Sequence, residues 1–294
     1  MELNNSEKLK AFLRKEMNRL NISSTNIYRT YFARKLLERI SEYNDGEIIV
    51  KGSSAQIAYI GSLVRAITDI DLASINNYNE AMPYISSAIQ ESNNLFFEFA
   101  KGFNRTKTGI YKISLMANYL GIKQNLNIDF QDNYNRLLEK KRLIYPVIFE
   151  NDKPFEVFVP SYEEYLAEKI CIILESNKQD VLNTRVKDFY DIYELHGGKY
   201  DADKLSEYFG KMLKLRHKIE SKDATTLILN KEFVDKHKEI WDRTVKKYDF
   251  MDHNIDFEGA VYYTRGVARD LLQRNGEDMP ASTIEIFSEN KKNR

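Results

Sequence analysis

Asp69-Ile70-Asp71-Leu72 sets two carboxylates two positions apart on an alternating apolar frame. Side chains at i and i+2 of a strand share a face, so Asp69 and Asp71 stand side by side while Ile70 and Leu72 enter the core. Two neighbouring carboxylates repel unless a cation lies between them. A hard divalent ion such as Mg²⁺ favours these oxygens, keeps some of its waters and takes further ligands from substrate phosphates. Taken alone, the element also fits a solvated strand end that happens to carry two acids. A third acid on the same pattern, Asp129 in Asn127-Ile128-Asp129-Phe130, changes that weighing, because three strand-borne carboxylates can converge. Such a trio suits a two-metal site, in which ions about 3.5–4 Å apart align an attacking hydroxyl and neutralise a leaving pyrophosphate. Gly52-Ser53, at a strand-to-helix turn ahead of Asp69, offers backbone N–H groups for a triphosphate, and glycine permits close approach.

Two further segments carry charge at telling positions. Lys169 falls within the apolar stripe Tyr162, Tyr165, Leu166, Ile170 and Ile173 of a helix that opens with the capping pair Ser161 and Glu164. A lysine on an inward face calls for snorkelling at the edge, a structural ion pair or a bound phosphate. In Arg185-Val186-Lys187-Asp188-Phe189-Tyr190-Asp191, the residues Val186, Phe189, Tyr190 and Tyr193 form a core stripe. Lys187, Asp188 and Asp191 share the other face, which periodicity alone cannot tell from ordinary charged surface.

The elements that must position these groups fall into two halves. Residues 1–45 read as two helices. Ile48–Val50 is a short strand, Ala55–Leu63 a helix and Asp69–Leu72 a strand, a β-α-β beginning. A helix near 79–92 precedes alternating segments at Leu95–Phe99, Ile110–Tyr119 and Gln124–Phe130, the last two joined by a turn at Leu120-Gly121-Ile122-Lys123. Strands near Tyr145–Phe149 and Phe155–Val159 close this half. From Pro160 onward only amphipathic helices follow, near 161–177, 184–196, 202–219, 231–248 and 258–274. We therefore expect a mixed α/β domain over residues 1–159 and an all-helical domain over 160–294, with a frayed polar tail from Ser288.

Composition bounds the function. The 294 residues include 44 Lys and Arg against 44 Asp and Glu, so no global charge argues for wrapping nucleic acid or holding an anionic membrane. The local run Lys211, Lys214, Arg216, His217 and Lys218 fits either an RNA-backbone patch or a solvated helix face next to Glu220 and Asp223. No window is apolar enough to span a bilayer, one cysteine excludes an internal disulfide, and the N-terminus lacks a signal-peptide pattern; we expect a cytoplasmic protein. Four scattered histidines and Cys171 show no zinc spacing, and no nucleophile–histidine triad can be argued.

In this order and spacing, four motifs resemble the AbiEii/AbiGii nucleotidyltransferase toxins of bacterial abortive-infection and type IV toxin–antitoxin systems, over most of the chain. They are Lys51-Gly52-Ser53 leading through Arg65 to Asp69-Ile70-Asp71; Asn127-Ile128-Asp129; Glu168-Lys169; and Arg185 to Asp191. One departure is Ile67, standing where the family often has a hydroxyl residue, with Thr68 adjacent instead. The resemblance implies an α+β fold of two lobes: a polymerase-β-like nucleotidyltransferase domain with a mixed sheet, then a helical domain, with the site in a cleft between the halves. It implies Asp69, Asp71 and Asp129 as ligands of Mg²⁺ and Gly52 and Ser53 as the triphosphate turn. Arg65 and Thr68 are expected nearby, with Lys169 on nucleotide phosphates. Asp188 matches an aspartate required for activity in the family, supported by Arg185, Lys187 and Asp191.

The implied reaction moves nucleotides from a nucleoside triphosphate to an RNA acceptor, expected to be the tRNA 3′ end, blocking translation and growth; the implied partner is a neighbouring antitoxin that need not bind the toxin. Three rivals stay open: transfer to a protein or small molecule, a catalytically silent nucleotide- or RNA-binding protein, and a DNA-binding antitoxin or regulator. The expected assembly is a monomer.

Overall fold

The computed structural model describes residues 4–90, 95–100, 104–107, 109–134, 139–177, 185–216, 231–252 and 254–275. The chain forms two compact units, Met1–Ser161 together with Lys246–Asp252, and Tyr162–Val245 together with His253–Arg294.

The first unit is built on a mixed sheet with helices against one face. Its elements are α1 (Ser6–Leu20), α2 (Ser24–Tyr43), β1 (Ile48–Val50), α3 (Gly52–Ile60), β2 (Ile70–Ser74), α4 (Tyr78–Ala88), β3 (Leu95–Phe99), β4 (Asn104–Arg105), β5 (Ile110–Tyr119) and β6 (Ile122–Gln131), followed by the pair β7 (Lys140–Tyr145) and β8 (Phe155–Pro160). The sheet order is β1-β2-β6-β5-β3, with β4 also on β5; β2 and β6 are parallel and the other neighbours antiparallel. Alternation does the sorting. Ile113, Leu115 and Ala117 on β5, and Leu126, Ile128 and Phe130 on β6, are at most 3% exposed. The intervening Lys112, Asn125 and Asn127 are exposed, so one sheet face is core and the other is open.

Helix α2 is buried on more than one side, and its polar residues are satisfied accordingly. Arg34, wholly buried, pairs through Nε with Asp152 at 2.6 Å, and Arg39 donates to the Leu95 carbonyl at 3.1 Å, covering the end of β3. Asp249 closes the N-terminal end of α2: its Oδ2 accepts from the Ser23 N–H at 2.8 Å, the Ser23 hydroxyl at 2.7 Å and Asn26 at 2.9 Å. Residues 246–252 also run along 64–66, where the Ala66 N–H donates to the Tyr248 carbonyl and the Met251 N–H to the Val64 carbonyl.

The second unit contains α5 (Tyr162–Asn177), α6 (Val186–Glu194), α7 (Ala202–Arg216), most of α8 (Lys231–Tyr248) and α9 (Phe257–Arg274). An aromatic core of Phe189, Tyr190, Phe233, Trp241 and Phe257 holds α6, α8 and α9 together, with ring centroids 5.0–6.4 Å apart.

Several elements differ from the sequence reading, β4 being an addition to it. The strand expected at Tyr145–Phe149 is β7, ending at Tyr145, because Pro146 has no N–H for a ladder; Ile148 and Phe149 are buried from a loop instead. Helix α3 begins at Gly52 rather than Ala55 and ends against Gly61 in the left-handed conformation (φ 77°). The β5–β6 turn is two residues rather than four. Leu120 (φ 52°) and Gly121 (φ 83°) both take positive φ, the signature of a type I′ turn, and Tyr119 pairs directly with Ile122. The tail from Ser288 lies outside the described residues.

Candidate active site

Strand register assembles the first unit's site. Asp71 on β2 lies opposite Asp129 on β6, and Asp129 lies opposite Lys112 on β5. Residues directly opposite in a ladder point to the same side, so Asp71, Asp129 and Lys112 form one row across three strands on the open face. Lys112 Nζ sits 3.0 Å from both oxygens of Asp129. Asp69 precedes β2 as an exposed residue, and its Oδ2 accepts from the Thr68 hydroxyl at 3.2 Å. The expected convergence of three strand-borne acids is thus corrected in one respect: two are strand-borne and in register, and Asp69 stands just outside the strand. Among the described residues, no three Asp, Glu, His or Cys side chains are grouped so as to hold a metal ion unaided.

The turn into α3 is fitted to Asp71. The Lys51 N–H donates to the Asp71 carbonyl at 2.8 Å, extending the β1–β2 ladder by one bond. Gly52 then takes φ 55°, and a Cβ there would meet Asp71 Oδ2 at 1.9 Å and Cγ at 2.7 Å. Glycine is required twice, for its backbone conformation and for the space the carboxylate fills. The Ala55 N–H closes on the Lys51 carbonyl at 3.2 Å, so Gly52, Ser53 and Ser54 form the first turn of α3, at the positive end of its dipole beside Asp71. The Lys51 ammonium lies 4.1 Å from the centroid of the buried Tyr134 ring. Arg65 is 3% exposed, with its guanidinium 5.6 Å from the Tyr248 ring, in the layer formed by residues 64–66 and 246–252.

The second unit gathers the other candidates. Lys169 on α5 reaches Asp188 Oδ1 at 3.0 Å and Asp191 Oδ2 at 2.7 Å, both on α6, and Arg185 Nε approaches Asp188 Oδ2 at 3.3 Å. Lys169, Asp188 and Asp191 are 7%, 4% and 0% exposed, so the face that periodicity could read as charged surface is instead a buried ionic cluster. The i,i+3 spacing of the two aspartates aims both at one ammonium on α5. Burial works to raise the Asp188 pKa, but Lys169 and Arg185 outweigh it and hold the carboxyl below its ordinary value. Lys187 is half-buried on the same helix. Of the basic run on α7, Lys211 pairs with Glu207 at 2.5 Å and Lys214 is exposed; the Arg216 side chain, His217 and Lys218 lie outside the described residues.

Sequence reasoning missed Lys112. Its signal is an exposed lysine in an alternating strand, and only the hairpin register makes it the partner of Asp129.

The first unit thus carries two in-register acids on an open sheet face beside a glycine turn. A profile of the family described as nucleotidyl transferase AbiEii toxin, type IV toxin–antitoxin system, matches residues 35–262, and the chain belongs to that family. Among solved structures, MenT4, a nucleotidyltransferase toxin of Mycobacterium tuberculosis H37Rv, is similar over 92% of this chain and 91% of its own, at 15% identity and a TM-score of 0.60. JHP933 of Helicobacter pylori covers 92% of this chain and 99% of its own at 14% identity and a TM-score of 0.48. At such identities the likeness to MenT4 is one of fold, and the JHP933 match carries no argument. No curated protein sequence matches the chain. No helix among the described residues is long and apolar enough to cross a membrane.

Proposed function

We propose that this nucleotidyltransferase toxin moves a nucleotide from a nucleoside triphosphate to the 3′-hydroxyl of an RNA, tRNA being the acceptor we favour, and so arrests translation. The observation that carries the reading is the row of Asp71 and Asp129 on an open sheet face, with the N-terminal turn of α3 packed against Asp71 through Gly52. The acceptor hydroxyl gives up its proton to solvent, its oxygen bonds to the α-phosphorus, the bond from that phosphorus to the bridging oxygen breaks, and pyrophosphate leaves.

The donor set fits Mg²⁺, which commonly takes one or two protein carboxylates and completes its shell with water and phosphate, so Asp71 and Asp129 would hold it with Asp69 alongside. When bound, the ion would supply charge neutralisation at the transferring phosphate. The chain's own groups do the positioning. The first turn of α3, at Gly52 and Ser53, receives the triphosphate with backbone N–H groups and its dipole. Thr68 orients Asp69 by hydrogen bond. Arg65 braces the segment leading to Asp69 from its place against Tyr248. For the second unit we propose that Lys169 serves the nucleotide phosphates, with Asp188, Asp191, Arg185 and Lys187 setting its position and charge. Asn125 and Asn127, exposed on the open face beside Asp129, offer amide groups to a polar acceptor strand.

The proposed setting is the cytoplasm, with an antitoxin that need not touch the toxin. Periodate oxidation, which destroys the 3′-terminal diol of RNA, tests the acceptor. Intact tRNA should take label from an α-labelled nucleoside triphosphate and oxidised tRNA should take none; equal labelling of both would contradict the 3′ assignment.

A further inference from the structure

We propose that Lys112 is a built-in counter-ion of the site, occupying Asp129 until a nucleoside triphosphate draws it away, so that divalent-cation binding depends on the nucleotide. The inference rests on the reading that Asp71 and Asp129 hold the metal.

Lys112 Nζ is 3.0 Å from each Asp129 oxygen, so it covers both atoms a cation would use. The contact is set by backbone register, since the two residues are direct partners in the β5–β6 ladder and Asp71 follows on the other side of Asp129. Asp129 so placed has its charge matched by the ammonium of its own strand partner. With Lys112 in place, a divalent ion at Asp129 meets a positive charge within hydrogen-bond distance of its ligand. The lysine is also able to leave. Its side chain is 60% exposed, and an ion pair that open to water is held by little. A triphosphate arriving at the α3 turn brings a stronger anionic partner for a flexible ammonium. Reciprocity of linked equilibria then requires that nucleotide tighten metal binding and that metal tighten nucleotide binding.

Mn²⁺ serves as the probe, followed by the free-ion resonance signal without turnover. In the absence of nucleotide, Lys112→Met should bind Mn²⁺ about three- to tenfold more tightly than the wild type, and Lys112→Arg should stay close to wild type. A non-hydrolysable nucleoside triphosphate should raise Mn²⁺ affinity in the wild type by a larger factor than in Lys112→Met. Asp71→Asn should lose the site in every background. If Lys112→Met and wild type bind Mn²⁺ equally and Asp71→Asn does not bind, the metal reading stands and the counter-ion proposal is overturned. If Mn²⁺ binding is absent throughout, or indifferent to Asp71→Asn, both are overturned.

Discussion

Asp71 is where the chemical and conformational demands of the site meet. Its carbonyl anchors the turn into α3, its carboxylate fills the space a Cβ on Gly52 would need, and its strand partner is Asp129. Asp71→Asn keeps the size of the side chain and removes its charge, so we expect transfer to fall by at least about a hundredfold with thermal unfolding little changed. A parallel loss of folded protein would place the residue's importance in packing instead. Gly52→Ala should cost about 1–3 kcal/mol from the positive φ and, because the new methyl displaces the carboxylate, abolish transfer even in the folded fraction; wild-type rates in purified Gly52→Ala would refute the close fit. The pair of acids two apart and the glycine turn were legible from residue types alone. The ion pair on Asp129 was not, since nothing in the local pattern of β5 distinguishes Lys112 from any exposed strand lysine.

At the scale of elements, the turn decides the site. A four-residue loop over 120–123 would pair Tyr119 with Gln124, setting Asp129 opposite Ser114 and Lys112 opposite Gln131. The two-residue turn slides the ladder by two and brings Lys112 to Asp129. The reading failed at this point because Leu120 is a poor sequence marker for a conformation that Asn or Gly takes easily. Replacing it should therefore help: Leu120→Asn is expected to stabilise the first unit by about 1 kcal/mol, measured by denaturant unfolding, and destabilisation would contradict the strain argument.

Helices α5 and α6 illustrate the converse case. Amphipathic spacing identified both, but an ionic cluster between packed helices looks in sequence like solvated charge. Because the Asp188 pKa is lowered on folding, its contribution to stability is present above the unfolded carboxylate value of about 3.9 and is lost as pH falls through the lower folded value. Lys169→Met leaves two aspartates buried without their ammonium. That should cost about 3–5 kcal/mol near neutral pH and diminish the trend, because the burial that works to raise the Asp188 pKa is then opposed by Arg185 and Lys187 without Lys169. Denaturant unfolding between pH 3 and 8 checks both the size and the sign, and an unchanged profile would show that the cluster is not coupled to folding.

For the molecule as a whole, the expected division into a mixed half and a helical half came from periodicity, since strand-type alternation, interleaved with helical segments before Pro160, gives way to helical spacing alone after it. The return of residues 246–252 to the first unit did not, because a strap is held by backbone hydrogen bonds and by Asp249, neither of which leaves a periodic trace. Neutral net charge means that any RNA affinity comes from local contacts, and the salt dependence of acceptor binding would count the phosphates those contacts neutralise. The central claim is that one carboxylate row performs nucleotide transfer to RNA. The direct measurement incubates the purified protein with total bacterial tRNA, Mg²⁺ and each of the four α-labelled nucleoside triphosphates in turn, beside Asp71→Ala. Label at RNA 3′ ends with at least one donor, and none with Asp71→Ala, is the result expected here. Label that persists in Asp71→Ala, or that never reaches RNA with any donor, would contradict it.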